Sequence, residues 1–142
     1  MKRINEWPKA LEKIFNYKFY VRGYELDSFG HVNNAVYVNY LEQARWEIVH
    51  ELGLLKLLQE QKSFLVVVET NIKYVKELRM FDQCRVETKM FGRGFFIDFK
   101  QDIFDANNEK VAKAKIKCLF LDEQRRPVDI PEQVIPYLYE RD

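Results

Sequence analysis

The residues best suited to chemistry in this chain sit in one short polar run, Asp27-Ser28-Phe29-Gly30-His31-Val32-Asn33-Asn34. The run falls between a strand-like segment, residues 17–24, and the strongest helical pattern of the chain, residues 34–52. A helix start offers unpaired backbone N–H groups and a partial positive charge, which suit a developing oxyanion. A carboxylate a few residues upstream can act beside it as general base or nucleophile. Asp27 has that position, and Gly30 allows a close backbone approach. The same residues admit a plainer reading, in which Asp27 and the two asparagines form turns and cap the helix. His31 divides the same way, between polarising a carbonyl and bonding to nearby backbone. The local run leaves both readings open.

Other catalytic patterns do not occur in the sequence. Ser28 and Ser63 are its only serines, and no G-x-S-x-G elbow surrounds either. There is no G-x-x-x-x-G-K-[ST] phosphate loop, no G-x-G-x-x-G and no H-E-x-x-H. Cys84 and Cys118 are too few for a disulfide framework or, with only His31 and His50 to help, for a four-ligand structural zinc site, and both fall in alternating segments as small core residues.

The elements that must position the polar run follow from periodicity. Tyr37, Val38, Leu41, Ala44, Ile48, Val49 and Leu52 share one helical face, with Asn39, Gln43, Glu47 and His50 opposite. Asn33 or Asn34 supplies an N-cap, and Gly53 occupies the left-handed position that ends such a helix. His50 belongs to the helix C-terminus and its dipole. Arg45 projects from the apolar face. A guanidinium there needs a partner, and an internal ion pair with a carboxylate of the sheet or of the Asp27 loop is expected.

Beyond residue 63 the period changes to two. Segments 64–74, 83–91, 95–104 and 111–121 read as four consecutive antiparallel strands, with turns at Gly92-Arg93-Gly94 and Asp105-Ala106-Asn107-Asn108. A short amphipathic lead-in occupies residues 1–16. Lys73, Lys76 and Arg79 read as a solvated charged edge. Strand, helix and strands together give an α+β domain whose single helix makes a thin core and whose sheet leaves open edges.

The composition sets outer bounds. Of 142 residues, 47% are hydrophobic and 32% charged, a globular balance with one domain over 1–142 and a core over about 17–131. The net charge of +1 lacks the basic excess of a nucleic-acid binder. The longest apolar run, Phe64–Val68, is far below the ~20 residues a membrane helix needs, so a cytoplasmic protein without membrane or nucleic-acid partners is expected.

The segment Val21-Arg22-Gly23-Tyr24-Glu25-Leu26-Asp27-Ser28-Phe29-Gly30-His31-Val32-Asn33-Asn34-Ala35-Val36-Tyr37, followed by Leu41-Glu42-Gln43-Ala44-Arg45-Trp46, resembles the opening motif of the 4-hydroxybenzoyl-CoA thioesterase group of hotdog-fold proteins, in particular its bacterial long-chain acyl-CoA thioesterases. Asn71-Ile72-Lys73-Tyr74, Asp82, Arg126-Pro127 and Ile130-Pro131 add weaker matches. The resemblance implies one long helix wrapped by a curved antiparallel sheet of about five strands, and a homodimer or homotetramer with sheets joined edge to edge. It implies hydrolysis of an acyl-CoA or acyl carrier protein thioester at the dimer interface, with no cofactor and no metal. Asp27 becomes the catalytic carboxylate, with His31 assisting and Asn34 at the catalytic turn. Gly30, Val32, Asn33 and Tyr37 become substrate-binding residues, with oxyanion donors among the N–H groups of residues 32–35 or on the facing strand. The acyl chain is expected between helix and sheet near Tyr37, Tyr40, Leu41, Phe95 or Phe96. Two rival readings remain at this level: an acyl-thioester hydratase or dehydratase on the same fold, and a binding protein without turnover.

Overall fold

Two periodicities, one of 3.6 and one of 2, divide the chain into a helical layer and a sheet. The computed structural model describes residues 13–139, so most of the lead-in expected over residues 1–16 lies outside them. Strand β1 is Phe15–Tyr20, helix α1 is Asn34–Glu51 and α2 is Leu54–Gln61. The strands β2, Phe64–Tyr74, β3, Gln83–Arg93, β4, Phe96–Asp105, and β5, Lys110–Leu121, follow. Two short strands, β6, Pro127–Val128, and β7, Leu138–Tyr139, add to β5 and β3. The main strands lie in the order β1-β3-β4-β5-β2, all antiparallel. One long helix on an antiparallel sheet of five main strands is the α+β hotdog architecture.

The four later strands are not simple neighbours in sequence order. β2 crosses to the far edge beside β5, so β1 takes the place next to β3. The β3–β4 hairpin also closes later than its glycines suggest. Gly92 and Arg93 still pair with Ile97 and Phe96, and the turn is Gly94-Phe95, with Gly94 at φ 61°. The first strand ends at Tyr20 rather than at residue 24, because Gly23–Glu25 coil into one 3-10 turn.

Helix α1 buries Tyr37, Tyr40, Leu41, Ala44, Arg45, Ile48 and Val49 against the sheet. Val38, expected on that face, is exposed, and the face is rotated toward Tyr40, whose phenol hides its ring and keeps a bonded hydroxyl. From the sheet come Val86, Met90, Ile97, Ile103, Ile116 and Cys118, none more than 2% exposed. Burial pushes both thiols up, Cys84 to about 12 and Cys118 to about 11, as apolar surroundings do to a group that must ionise.

Arg45 is buried, yet no described carboxylate pairs with it, which corrects the expected ion pair. The Asp27 loop lies at the other end of α1, and the facing residue of β4 is Gln101. Arg45 Nη1 donates to Gln101 Oε1 at 2.9 Å. Gln101 Nε2 donates in turn to Leu41 O and Thr88 Oγ1, both at 3.1 Å. A fully buried amide thus ties the middle of α1 to two strands and satisfies one guanidinium N–H without a second charge.

The connection from β1 to α1 is closed by another buried group, Glu25, 5% exposed. Arg22 donates to it twice, from its backbone N–H to Oε1 and from Nη2 to Oε2, each at 2.8 Å. The Tyr40 hydroxyl donates to Oε1 at 2.9 Å. The Glu25 carbonyl accepts the N–H of Asn33 at 3.0 Å. Burial alone raises the pKa of this carboxyl, but the Arg22 and Tyr40 hydrogen bonds outweigh it and hold the group below its ordinary value. Asn33 is the N-cap of α1, its Oδ1 accepting from the Ala35 N–H at 3.0 Å.

Because the folded state prefers Glu25 ionised, its contribution is present at neutral pH and is lost as the unfolded chain takes up its proton in acid. Glu25→Gln is therefore expected to lower unfolding stability by about 2 kcal/mol at pH 7. Urea titrations should show that gap shrinking as the pH falls through and below about 4.5, and a pH-independent gap contradicts the assignment. Asn33→Ala should cost about 1 kcal/mol in the same measurement, through loss of the helix cap.

Candidate active site

The polar run is built as a loop within a loop. Its base is the Leu26–Val32 bridge, and inside that the Asp27 N–H donates to the His31 carbonyl at 2.7 Å. Asp27 Oδ1 accepts the backbone N–H groups of Phe29 at 2.8 Å and of His31 at 3.2 Å. The Gly30 N–H returns to the Asp27 carbonyl at 3.2 Å. Gly30 stands at φ 80°, a left-handed conformation that side chains resist. A Cβ built there meets no described protein atom within 4 Å, so what requires glycine within the fold is the turn conformation.

Asp27 thus combines the turn role with an open functional atom. Oδ1 is held by two N–H groups, while Oδ2 has no partner among the described residues. The side chain is exposed and lines a cleft of about 550 Å³ with His31, Val32, Asn34, Tyr37, Tyr74, Lys76 and Glu77. The floor is aromatic: Tyr37 meets Tyr74 edge-on at 5.2 Å and Tyr40 at 6.0 Å, and Tyr40 rests on Phe19 at 4.3 Å. Burial pushes the Tyr37 hydroxyl up to about 12, so at neutral pH it is a neutral phenol packed beside the Leu78 backbone.

The helix start is narrower as an oxyanion site than the sequence suggests. The Val32 N–H donates to Leu78 O, that of Asn33 to Glu25 O, and that of Ala35 to Asn33 Oδ1. Of residues 32–35, Asn34 alone keeps an N–H without a partner among the described residues, at the first position of α1. Its carbonyl accepts the Tyr74 hydroxyl at 3.1 Å, which ties the helix start to the end of β2. Val32 and Asn33 support the turn through their backbones. The His31 imidazole places Nε2 3.1 Å from Glu77 Oε2, and the hydrogen bonds between His31 and Asp27 run through the His31 backbone.

The site also contains residues that the sequence reading gave no site role. Tyr74 is placed only in a strand alternation and a weak motif match, and Glu77 and the Leu78 backbone lie in the loop after β2, where no periodicity marks them. Lys73, Lys76 and Arg79 are all exposed, and within that charged edge Lys76 Nζ pairs with Asp105 at 2.6 Å and Glu109 at 2.7 Å. Tyr40 and Leu41, expected along an acyl channel, are closely packed core at 2% and 1% exposure. No helix among the described residues is long and apolar enough to cross a membrane.

Comparison with known proteins places this geometry. A family model described as the thioesterase-like superfamily matches residues 21–138. A chloroplastic acyl-acyl carrier protein thioesterase of Arabidopsis thaliana is 37% identical over 82% of this chain and 64% of its own length. An acyl-CoA thioesterase of Haemophilus influenzae is 32% identical over 83% of this chain and 90% of its own. The structure of a probable thioesterase from Escherichia coli superposes with a TM-score of 0.79 at 25% identity, covering 87% of this chain and 98% of that one. This chain therefore spans about two thirds of the plant relative and nearly all of the bacterial ones, and it belongs to the thioesterase-like superfamily of hotdog proteins.

Proposed function

We propose that this chain hydrolyses acyl thioesters, releasing a free acid and a thiol, with Asp27 as the acting carboxylate. The observation that carries the reading is the division of labour within Asp27. Two backbone N–H groups anchor Oδ1, while Oδ2 has no partner among the described residues, and Asp27 lines the same cleft as Asn34, whose N–H is likewise unpaired among them. Oδ2 either attacks the thioester carbonyl carbon or takes a proton from the attacking water. The charge that develops on the carbonyl oxygen falls on the Asn34 N–H and the positive end of α1. The thiolate departs and is protonated, and water supplies the oxygen of the acid. A thiolate leaves far more readily than an amine, so a positioned carboxylate with a single donor site suffices. The names of the plant and bacterial relatives support thioesters of acyl carrier protein and of CoA as substrates.

The active assembly in this reading is a homodimer joined along β2, on its own or within a tetramer. β2 ends the sheet, runs for 11 residues and exposes Phe64, Val67 and Val68. A long apolar edge of this kind is a template for a further strand. A twofold pairing would carry the sheet on into the second copy.

Thiol release from a panel of short, long and aromatic acyl-CoA thioesters, and from an acyl carrier protein thioester, tests the activity. Turnover of at least one class is expected, whereas tight binding without any thiol release would overturn the proposal in favour of a binding protein. Sedimentation should show a dimer or larger for the parent and a shift toward monomer for Val68→Lys. A parent that stays monomeric at high concentration contradicts the assembly.

A further inference from the structure

We infer that the outer face of the sheet, the side away from α1, is a docking surface for an anionic lipid bilayer. Alternation divides each strand between two faces. Met90, Phe99 and Ile116 stand side by side across β3, β4 and β5 on the buried face. The adjacent row on the other face is Lys89, Lys100 and Lys115, three lysines directly opposite one another with no acid between them. One row along, Lys113 stands opposite Lys73 of β2 and also opposite Asp102, which Lys110 engages at 3.6 Å. Lys73, Lys100, Lys113 and Lys115 are exposed, and none has a carboxylate within ion-pair distance among the described residues. Like charges opposite one another on neighbouring strands destabilise a sheet. The chain's net charge is only +1, so this row does not follow from a basic composition. An outside polyanion is the countercharge that the row lacks.

Three features select a bilayer as that polyanion. The first is an aromatic rim. Tyr20, Tyr24 and Phe81 are 48%, 83% and 69% exposed at the β1 edge. There the Phe81 N–H donates to Val21 O at 2.9 Å, and the Arg22 guanidinium lies 5.8 Å from the Tyr24 ring. β1 and β2 are opposite ends of the sheet, so pairing through β2 leaves this rim uncovered. Exposed aromatic rings beside lysine and arginine suit the headgroup layer of a membrane. The second is the state of the rings on the face itself. Lys117 lies 4.2 Å from the Phe96 ring and Arg85 4.5 Å from that of Phe104, so the chain's own cations occupy surfaces that nucleic-acid bases would need for stacking. The third is breadth. A sheet carried through β2 into a twofold copy sets both lysine rows on one side, which fits an extended flat partner better than a small one. This third feature rests on the assembly proposed above, whereas the row and the rim do not.

Co-sedimentation with vesicles of equal parts phosphatidylglycerol and phosphatidylcholine should pull down the parent chain. Vesicles of phosphatidylcholine alone should not, and high salt should release the bound protein. Lys100→Gln combined with Lys115→Gln should weaken binding about 25-fold, about fivefold for each charge lost from the surface. Because the pair of substitutions relieves the opposed charges, the urea midpoint should stay the same or rise. Turnover of short, soluble acyl-CoA thioesters should not change. Equal binding to anionic and neutral vesicles, or a double variant that binds as well as the parent, overturns the surface. Displacement from the vesicles by soluble polyglutamate or a single-stranded oligonucleotide at equal charge overturns the lipid assignment, in favour of an acidic protein or a nucleic acid. Lys100 and Lys115 that resist amine acetylation in the free parent also overturn it, since a second copy then covers the face. A parent that turns over no thioester refutes the proposed activity and leaves the vesicle results standing.

Discussion

The fold around the site depends on one buried carboxylate. Glu25 gathers two donors from Arg22 and one from Tyr40, while its carbonyl holds the N–H of the helix cap. These contacts bind the end of β1, the middle of α1 and the start of α1 to a single residue. Everything from Leu26 to Val32 is then a closed loop standing on that base, with Asp27 within it. The arrangement uses a buried charge where burial by itself is unfavourable. It holds because every oxygen of the Glu25 side chain is satisfied by a charged or hydroxyl donor.

From that base the chemistry is assembled mainly from backbone. Turn N–H groups fix one oxygen of Asp27 and leave the other exposed, and a single helical N–H remains beside it at Asn34. The Tyr74 hydroxyl on the Asn34 carbonyl joins this helix start to the strand that ends the sheet. A residue type and a turn geometry therefore serve structure and chemistry together. The two readings of Asp27 drawn from the sequence are compatible: Oδ1 makes the turn, and Oδ2 is left without a partner among the described residues, as the proposed activity requires.

Much of this was legible in the sequence because local rules and tertiary packing agree. Helix α1 lies within one residue of its periodic pattern, and the Asn33 cap and Gly53 stop follow from residue type. Strands β3 and β5 bury the alternating residues expected of them. Failures arise where long-range partners decide. Nothing local reveals that β2 sits beside β5, or that Arg45 would face the amide of Gln101 in place of a carboxylate. Glu25 carries no local mark of its buried role beyond its spacing of three from Arg22. The oxyanion donors were over-counted because their competitors, Leu78 O and Glu25 O, come from segments that only the fold brings near.

The most direct test of the account is the rate of thiol release by Asp27→Asn beside that of the parent, on whichever acyl thioester the parent turns over. Asparagine keeps an Oδ1 able to accept the Phe29 and His31 N–H groups, so the turn survives while the carboxylate is lost. The account predicts a rate lower by about 10²-fold to 10⁴-fold with unfolding stability nearly unchanged. A folded Asp27→Asn protein that releases thiol at close to the parental rate would contradict it.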